Sequence, residues 1–517
     1  MSSDAPARPE PTAVQSGPSE TTISFPQVIP PVDGLALPGR SLVLCFDGTG
    51  DQYDHDVSPD MLLFLRYSYS SLNVELEHCA IRSAPKKDDK KRQMVYYQTG
   101  IGTGVGPQPS GVFTSKLSQT LDTMIASGLG DHVRGGYEFL MQNWDRISIF
   151  GFSRGAYTAR ALAGMLHKVG LLPAYNHEQV AFAYKMFKRD DEEGWKMSNG
   201  FKRAFCIDVK IDFVGVFDTV NSVGIIPREL PFAKSNYLIR VFRHAVALDE
   251  HRAKFQPNLW GRSTESEEKL GEAGKKKVYH RQKSKSGVWS YVYGGHQTDV
   301  KEVWFAGAHC DVGGGSVPNE TPNNLARIPL RWMIRECFLN NTGILFHSAE
   351  LEEIGLSPPT LWPTVKIPTP IADGHKPQAS DATMVDSPEE VRDDPMSSKT
   401  KINGVEPPKT MSALVPPEFI KLGSEADAKD ALEPIYDQLS IAKWWWILEL
   451  LPMKKRYQRH DKSWSTWLSI NFGGPRVIHG QKRFGVLVHR TVQYRMQQLG
   501  YKPRAELLAE PGPTWVD

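Results

Sequence analysis

The 517-residue sequence lacks an excess of charge and lacks long hydrophobic runs. Its 61 basic and 59 acidic residues leave a formal net charge of +2, so no overall field favours nucleic acid as a partner. The longest apolar stretch, 444–452, is too short to span a bilayer and carries Glu449. The first residues lack the basic start and apolar core of a secretory signal. We therefore expect a cytoplasmic protein with neither a signal peptide nor a transmembrane helix.

Cysteine is also scarce, and no internal repeat is present. The five cysteines are scattered without a CxxC pair, which is typical of reduced thiols rather than of a disulfide framework. The sequence offers no pattern for a resident cofactor, and none is expected.

What the sequence does contain is a series of compact apolar runs, each ending in glycine or a short polar loop. Such runs predict buried strands, and segments with helical spacing lie between several of them. This alternation indicates an α/β fold, with a doubly wound, mostly parallel sheet covered by helices on both faces. The predicted strands are 41–46, 146–150, 209–217 and 300–308, and the predicted helices are 117–144 and 156–169.

Composition divides the chain into one domain with two tails and two insertions. Residues 1–37 are rich in proline, serine and threonine and are predicted to form a disordered tail. A single domain is expected over 38–505, followed by a C-terminal tail, 506–517. A lysine-rich surface insertion is predicted at 263–287. A second insertion is predicted at 363–417, where a composition rich in Pro, Asp, Ser and Lys indicates disorder.

The last hundred residues regain periodicity. An amphipathic, tryptophan-rich helix is predicted over 437–451, then a strand at 484–488 and a helix at 491–499. The tryptophan-rich helix can be read as a core helix or as a lid facing lipid. The lysine-rich insertion can be read as a solvated loop or as a site for anionic headgroups. Peripheral contact with a membrane is therefore one expectation.

The pentapeptide at 151–155 (GFSRG) fits the pattern G-x-S-x-G. A strand is predicted before it and an Ala-rich helix after it, as a nucleophile elbow requires. In such an elbow the serine sits on a sharp turn, which its flanking glycines allow. The pattern predicts that Ser153 is the nucleophile of an α/β-hydrolase-type serine hydrolase; the alternative is a structural glycine turn.

A serine nucleophile needs a base and an orienting acid, which in this fold follow in the order serine, acid, histidine. Asp218 and Asp311 both follow predicted strands, and Asp311 is favoured because it ends a later strand and precedes three glycines. His489 follows a strand and opens a helix, so it is the predicted base, with His479 second. Asp218 and His309 are expected to line the site. His309 with Asp311 lacks a third ligand at metal spacing, so no metal site is predicted.

An oxyanion hole needs two backbone N–H donors. The first is expected from Arg154, at the start of the helix after the elbow. The second is expected from Gly48 or Thr49, in the loop after the first strand, which Asp47 could orient; a plain glycine turn is the alternative. No lysine follows this loop as it would in a P-loop, so nucleotide binding is not predicted.

Several motifs occur together in one order along the chain: FDGTG (46–50), GFSRGAYTAR (151–160), GVFDTV (215–220), FRHAVALDEHR (242–252), FAGAHCDVGGG (305–315), LRWM (330–333) and VHRTVQYR (488–495). With these motifs the sequence resembles the Tle1-like catalytic domain of type VI secretion phospholipase effectors and its fungal-type relatives. The resemblance covers roughly residues 38–340 and 430–500. It implies an α/β-hydrolase fold and an esterase or phospholipase with a Ser–Asp–His triad, here Ser153, Asp311 and His489.

The expected function is hydrolysis of carboxylic esters through an acyl-enzyme, with a lipid or phospholipid ester as substrate. Two alternatives belong to other classes. The fold could serve as an inactive binding or scaffold module. A phosphate-ester enzyme could use Asp47 and Asp311 with a divalent ion.

Overall fold

The fold is built on a central parallel sheet. The computed structural model describes residues 28–29, 40–48, 93–100, 115–220, 236, 238–261, 280–283, 289–293, 296–318, 321–362, 364–366, 422–459, 463–479, 485–508 and 512–517. The strands are Val28–Ile29 (β1), Ser41–Phe46 (β2), Gln93–Gln98 (β3), Arg146–Phe152 (β4), Ile211–Phe217 (β5), Ile239–Ala247 (β6), His280–Lys283 (β7), Trp289–Tyr293 (β8), His296–Gln297 (β9), Asp299–Phe305 (β10), Phe346–His347 (β11), Met453–Gln458 (β12), Trp464–Ser469 (β13), Val477–Ile478 (β14), Leu487–His489 (β15), Glu506–Leu507 (β16) and Thr514–Val516 (β17).

Helices follow several of these strands and cover the sheet. They are Ser115–Asn143 (α1), Ser153–Val169 (α2), His177–Lys188 (α3), Glu192–Phe205 (α4), His309–Gly313 (α5), Arg327–Leu339 (α6), Ser348–Glu353 (α7), Glu425–Asp430 (α8), Gln438–Ile441 (α9), Trp446–Glu449 (α10) and Arg490–Leu499 (α11). Within the described ranges, none of them is long and apolar enough to cross a membrane.

The eight strands of the central sheet lie in the order β17-β15-β10-β6-β5-β4-β2-β3. Every neighbouring pair in it is parallel. The predicted fold class, a doubly wound and mostly parallel sheet, is confirmed. The predicted strands and helices in this sheet agree with the structure to within a few residues at each end.

The apolar runs are continuous because both faces of the sheet are buried. In β2, Leu42 and Leu44 pack into one core cluster together with helix α2. Val43 and Cys45 point the other way, into a second cluster that contains helix α6. Side chains that alternate between two apolar layers leave no position for a polar residue, so the strand shows no alternating pattern in its sequence.

The order of the strands creates a crevice at the carboxyl ends of β2 and β4. The chain passes from β2 to β3 on one side and then crosses to β4 on the other side. In open parallel sheets, ligands bind outside the carboxyl ends of strands at such a reversal. Asp47 and Ser153 follow β2 and β4 directly, so both lie at this crevice.

The predicted amphipathic helix over 437–451 is wrong. The segment forms α9, a 3₁₀ turn over Lys443–Trp445, and α10. Asp437 caps α9 by accepting a hydrogen bond from the Leu439 N–H. At the other end the Glu449 carboxylate turns inward and accepts the Ala253 N–H at 2.6 Å. These two anchors and the low helix propensity of three consecutive tryptophans favour short turns over one helix.

The predicted C-terminal tail, 506–517, must also be corrected. Residues in β16 pair with β14, and β17 extends the central sheet by pairing with β15. From this position Val516 packs against the second core cluster, and Trp515 packs against a third cluster that contains Trp304 and Val488. Most of the predicted N-terminal tail and of the insertions 263–287 and 363–417 lies outside the described residues.

The role of β17 predicts different effects for adjacent substitutions. Trp515→Ala should lower the free energy of unfolding by about 1–3 kcal/mol, because it removes a half-buried ring packed on the sheet. Thr514→Ala, at an exposed position of the same strand, should change it by less than about 0.5 kcal/mol. Urea denaturation measures both. Equal and negligible effects would mean that 512–517 is a tail after all.

Candidate active site

Ser153 lies on a tight turn between β4 and α2. Its φ is +56°, in the left-handed region, and its side chain is 5% exposed. The flanking glycines are required by close backbone contacts. A Cβ on Gly155 would lie 2.1 Å from the Phe46 carbonyl oxygen, and one on Gly151 would lie 2.5 Å from the Gly155 carbonyl oxygen. The predicted nucleophile elbow is therefore present in its geometry.

A chain of hydrogen bonds runs from Ser153 to a buried carboxylate. Ser153 Oγ is 2.8 Å from His309 Nε2, and His309 Nδ1 is 2.6 Å from Asp218 Oδ2. An ionised carboxylate only accepts, so Nδ1 carries the proton and Nε2 accepts from the serine hydroxyl. Asp218 follows β5 and His309 opens α5 after β10. Serine, histidine and aspartate thus meet as a nucleophile, a base and an orienting acid would.

His309 sits between aromatic rings in a buried position. Its ring centroid lies 4.7 Å from that of Phe152 and 4.8 Å from that of Phe255. Burial lowers the pKa of His309, and the hydrogen bond and charge of Asp218 offset only part of this effect. The imidazole is therefore neutral near pH 7, the form that can accept a proton.

Arg476 neutralises the carboxylate of this chain. Its guanidinium donates to both Asp218 oxygens, at 2.7 and 2.9 Å, and to the carbonyls of Ala247 and Phe255. Burial alone would raise the pKa of Asp218, but the charge of Arg476 and the hydrogen bond from His309 hold it well below its usual range. Sequence reasoning missed Arg476, because no motif marks a residue 258 positions from its partner.

A second buried ion pair, between Glu250 and Arg252, lies beside His309. Glu250 accepts from Arg252 at 3.0 and 2.7 Å and lies 3.4 Å from the His309 N–H. The Arg252 guanidinium stacks on the Phe255 ring at 3.6 Å. The loop after β6 thus holds the ring that packs on His309.

The predicted acid, Asp311, does not take part in this chain of hydrogen bonds. Its Oδ2 accepts the N–H groups of Ala308 and Tyr436, both at 2.9 Å, so it caps α5 and fixes a loop. Burial raises its pKa to about 6. Asp311 lies away from Ser153 because of the turn at Gly307, which has a φ of +115°. This turn directs His309 toward Ser153 and folds Asp311 back on its own helix.

The predicted base, His489, lies elsewhere as well. Its Nδ1 bonds to Thr491 Oγ1 at 2.8 Å, and its ring stacks on Phe305 at 4.9 Å. Burial lowers the pKa of His489 to about 3. His479, the second candidate, stacks on Tyr457 at 4.1 Å. Among the described contacts, none of Asp311, His489 and His479 reaches Ser153. The expected set is therefore replaced by Asp218, which was the second candidate for the acid, and by His309, which was predicted to line the site.

The expected oxyanion donors have different outcomes. Arg154 occupies the first turn of α2, directly after Ser153, and its N–H stays the predicted first donor. The Gly48 N–H points to Asp47 Oδ1 at 2.7 Å, so it is engaged and does not fit the predicted role. Thr49 lies outside the described residues.

Asp47 bonds to the described start of this loop through the Gly48 N–H, and its orienting role stays a prediction. Its other oxygen accepts from Tyr97 Oη at 2.7 Å, and burial raises its pKa to about 7. Its backbone carbonyl approaches the α carbon of Gly155 so closely that a Cβ there would lie 2.5 Å away.

As for metals, the described part of the chain contains no group of three His, Cys, Asp or Glu side chains placed to hold an ion.

A parallel sheet with a serine on a strand-to-helix elbow defines an α/β-hydrolase-like protein. The chain belongs to the family described as T6SS phospholipase effector Tle1-like, catalytic domain, which matches residues 40–336. The uncharacterized protein YEL023C of Saccharomyces cerevisiae is 26% identical to it, over 89% of this chain and 79% of its own.

Two solved structures are also similar. An uncharacterized protein from Pseudomonas aeruginosa matches at 18% identity with a TM-score of 0.29, covering 63% of this chain and 49% of that one. The Tle1 effector bound to the VgrG spike of the Type 6 secretion system matches at 19% identity with a TM-score of 0.25, covering 54% and 51%. The chain therefore spans about half the length of these two proteins.

The pairing of Arg476 with Asp218 predicts a change in the pH dependence of Ser153 reactivity. In Arg476→Met the charge of Asp218 acts on His309 without compensation, so the pKa of His309 rises and the imidazole is neutral only at higher pH. The rate of labelling by a fluorophosphonate, followed against pH, should show its acid limb moved to higher pH. The plateau should fall on the order of 10- to 100-fold.

A second arginine provides the control for this measurement. Arg240 also pairs with a carboxylate, Asp212, but at the surface. Arg240→Met should leave the profile unchanged. An Arg476→Met profile that coincides with that of the wild type would show that Arg476 does not act on the base.

Proposed function

We propose that this protein hydrolyses carboxylic esters of lipids, with phospholipid acyl esters as the substrate class. Membership of a phospholipase effector family suggests lipase or phospholipase activity. The observation that carries the proposal is the hydrogen-bonded series Ser153–His309–Asp218, with distances of 2.8 and 2.6 Å. The substrate class rests on the family alone. A lipid ester would be reached by peripheral contact with a membrane.

In the proposed mechanism, Ser153 Oγ attacks the acyl carbonyl carbon while His309 Nε2 takes the hydroxyl proton. The tetrahedral intermediate carries its negative charge near the N-terminus of α2, where the Arg154 N–H donates to it. His309 then gives its proton to the leaving alcohol, which departs and leaves an acyl-serine. Water, deprotonated by His309, attacks this ester, and His309 returns the proton to Ser153 Oγ as the bond to the acyl carbon breaks and the acid leaves. Asp218 keeps the imidazole in the required tautomer and stabilises its charged form.

Paired substitutions distinguish this triad from the one expected from sequence. Ser153→Ala, His309→Gln and Asp218→Asn should each lower kcat/KM for a soluble short-chain nitrophenyl ester by on the order of 10⁴-fold. For their matched controls, His489→Gln and Asp311→Asn, kcat/KM should stay within about tenfold of the wild-type value, because these side chains contact other parts of the fold and not Ser153. Circular dichroism checks that each variant is folded.

Two results would contradict the proposal. One is loss of activity in His489→Gln while His309→Gln remains active. The other is failure of the folded wild type to hydrolyse esters and to react with a fluorophosphonate at Ser153, which is what a non-catalytic scaffold would show.

A further inference from the structure

One segment carries more than half of the large hydrophobic side chains that are exposed in the described residues. Of the nineteen large hydrophobic side chains exposed in the described residues, ten lie between 441 and 472. Scattered exposed apolar residues are normal, but a concentration of this kind marks an interaction surface. Trp467 packs on Tyr457, on the side of the hairpin opposite to its neighbour Leu468. We call the other nine the apolar face: Ile441, Trp444, Trp446, Ile447, Leu450, Leu451, Leu468, Ile470 and Phe472.

The parts of this face are held together by one buried acid. Glu449 is 0% exposed. Its Oε2 accepts from Asn471 Nδ2 at 2.6 Å and from the Gly473 N–H at 2.9 Å, and its backbone carbonyl accepts the Phe472 N–H. The tryptophan-rich turns and the segment that follows the β12–β13 hairpin are therefore one unit. The hydrogen bond that the Ala253 N–H donates to Glu449 fixes this unit to the loop after β6.

The charge around this face is positive. Between 441 and 472 the sequence has six basic and two acidic residues, and Glu449, one of the two acids, is turned inward. Lys443 and Lys454 are exposed, and Lys454 lies opposite Leu468 in the hairpin register. Cations beside exposed apolar side chains complement the negative headgroups of an anionic bilayer.

Composition favours a bilayer over a protein partner. Five of the thirteen tryptophans of the chain lie in this segment, and tryptophan prefers the boundary between headgroups and acyl chains. Lysine is depleted in protein–protein interfaces but frequent in segments that lie on membranes. A face that combines the two matches a lipid surface.

The apolar face is also connected to the base by ring contacts. The half-buried ring of Trp445 lies 5.5 Å from that of Phe255, and Phe255 lies 4.8 Å from His309. A bilayer against the face would therefore lie two aromatic contacts from the base that activates Ser153.

We propose that the apolar face docks on anionic phospholipid bilayers and so brings Ser153 to its substrate; the second half of this statement rests on the proposed function. The docking itself does not depend on catalysis. It can therefore be tested in the full chain with Ser153→Ala, which leaves the vesicles intact.

The test is flotation of this variant with vesicles of phosphatidylcholine mixed with phosphatidylserine. The protein should float with the mixed vesicles and bind pure phosphatidylcholine more weakly. Adding Trp444→Ser, Ile447→Ser and Leu468→Ser should lower the partition coefficient on the order of 100-fold, because three exposed apolar side chains no longer enter the interface. Adding Lys443→Gln and Lys454→Gln should lower it on the order of tenfold on mixed vesicles only.

A matched triple variant controls for the general loss of apolar surface. Trp144→Ser, Leu499→Ser and Leu508→Ser remove one tryptophan and two leucines that are comparably exposed elsewhere. These changes should leave vesicle binding as it is. Equal losses in the two triple variants would overturn the proposal, as would binding that needs no part of the apolar face.

Activity measurements separate this proposal from the proposed function. With Ser153 restored, the Trp444/Ile447/Leu468 variant should hydrolyse a soluble short-chain ester at the wild-type rate and lose hydrolysis of vesicle phospholipid. Ester hydrolysis by a wild type that does not float overturns the docking proposal alone. Floating without any ester hydrolysis supports docking and refutes the proposed function.

The face could instead bind a second copy of the chain. Sedimentation would then show a mass that rises with concentration, the triple variant would abolish this rise, and vesicles would stay unbound. That result would overturn the docking proposal and assign the face to a dimer.

Discussion

The site depends on the pairing of one buried carboxylate. Asp218 is 0% exposed, and an ionised carboxylate in such a place is stable only if its charge and its lone pairs are satisfied. Arg476 supplies the charge and two of the hydrogen bonds, and the Ala247 N–H and His309 supply the others. Because all these donors are fixed, the position of the His309 ring is fixed as well. The placement of the imidazole against Ser153 follows from this pairing.

The sheet and the sharp turn at Ser153 could be predicted from sequence because each leaves a local signal. The run of β2 is apolar since both of its faces are buried. Ser153 is marked by glycines that the elbow needs at fixed spacing. Both signals span a few residues and reflect short-range sterics or burial, which are the properties that sequence patterns report well.

The acid and the base could not be assigned in the same way. Asp218 and Asp311 both follow strands, and His309 and His489 both open helices, so their local contexts are alike. What separates them is the direction of a turn, set at Gly307, and the arrival of Arg476 from a distant segment. Neither the turn nor the distant contact leaves a periodic pattern or a motif in the sequence. The usual order of serine, acid and histidine favoured residues later in the chain, although the order Ser153, Asp218, His309 obeys the same rule.

The distance between Asp218 and Arg476 along the chain has a consequence for synthesis. The two are separated by 258 residues, and at the usual speed of translation the ribosome needs on the order of 10–50 s to cover them. During that time Ser153, Asp218 and, later, His309 already exist, but the carboxylate has no counter-charge, and the last two strands of the central sheet, β15 and β17, have not been made. A nascent chain therefore carries Ser153 before the ring of His309 is fixed against it. The contact between the imidazole and Ser153 is therefore completed only after the segment that carries Arg476 has been made and has docked.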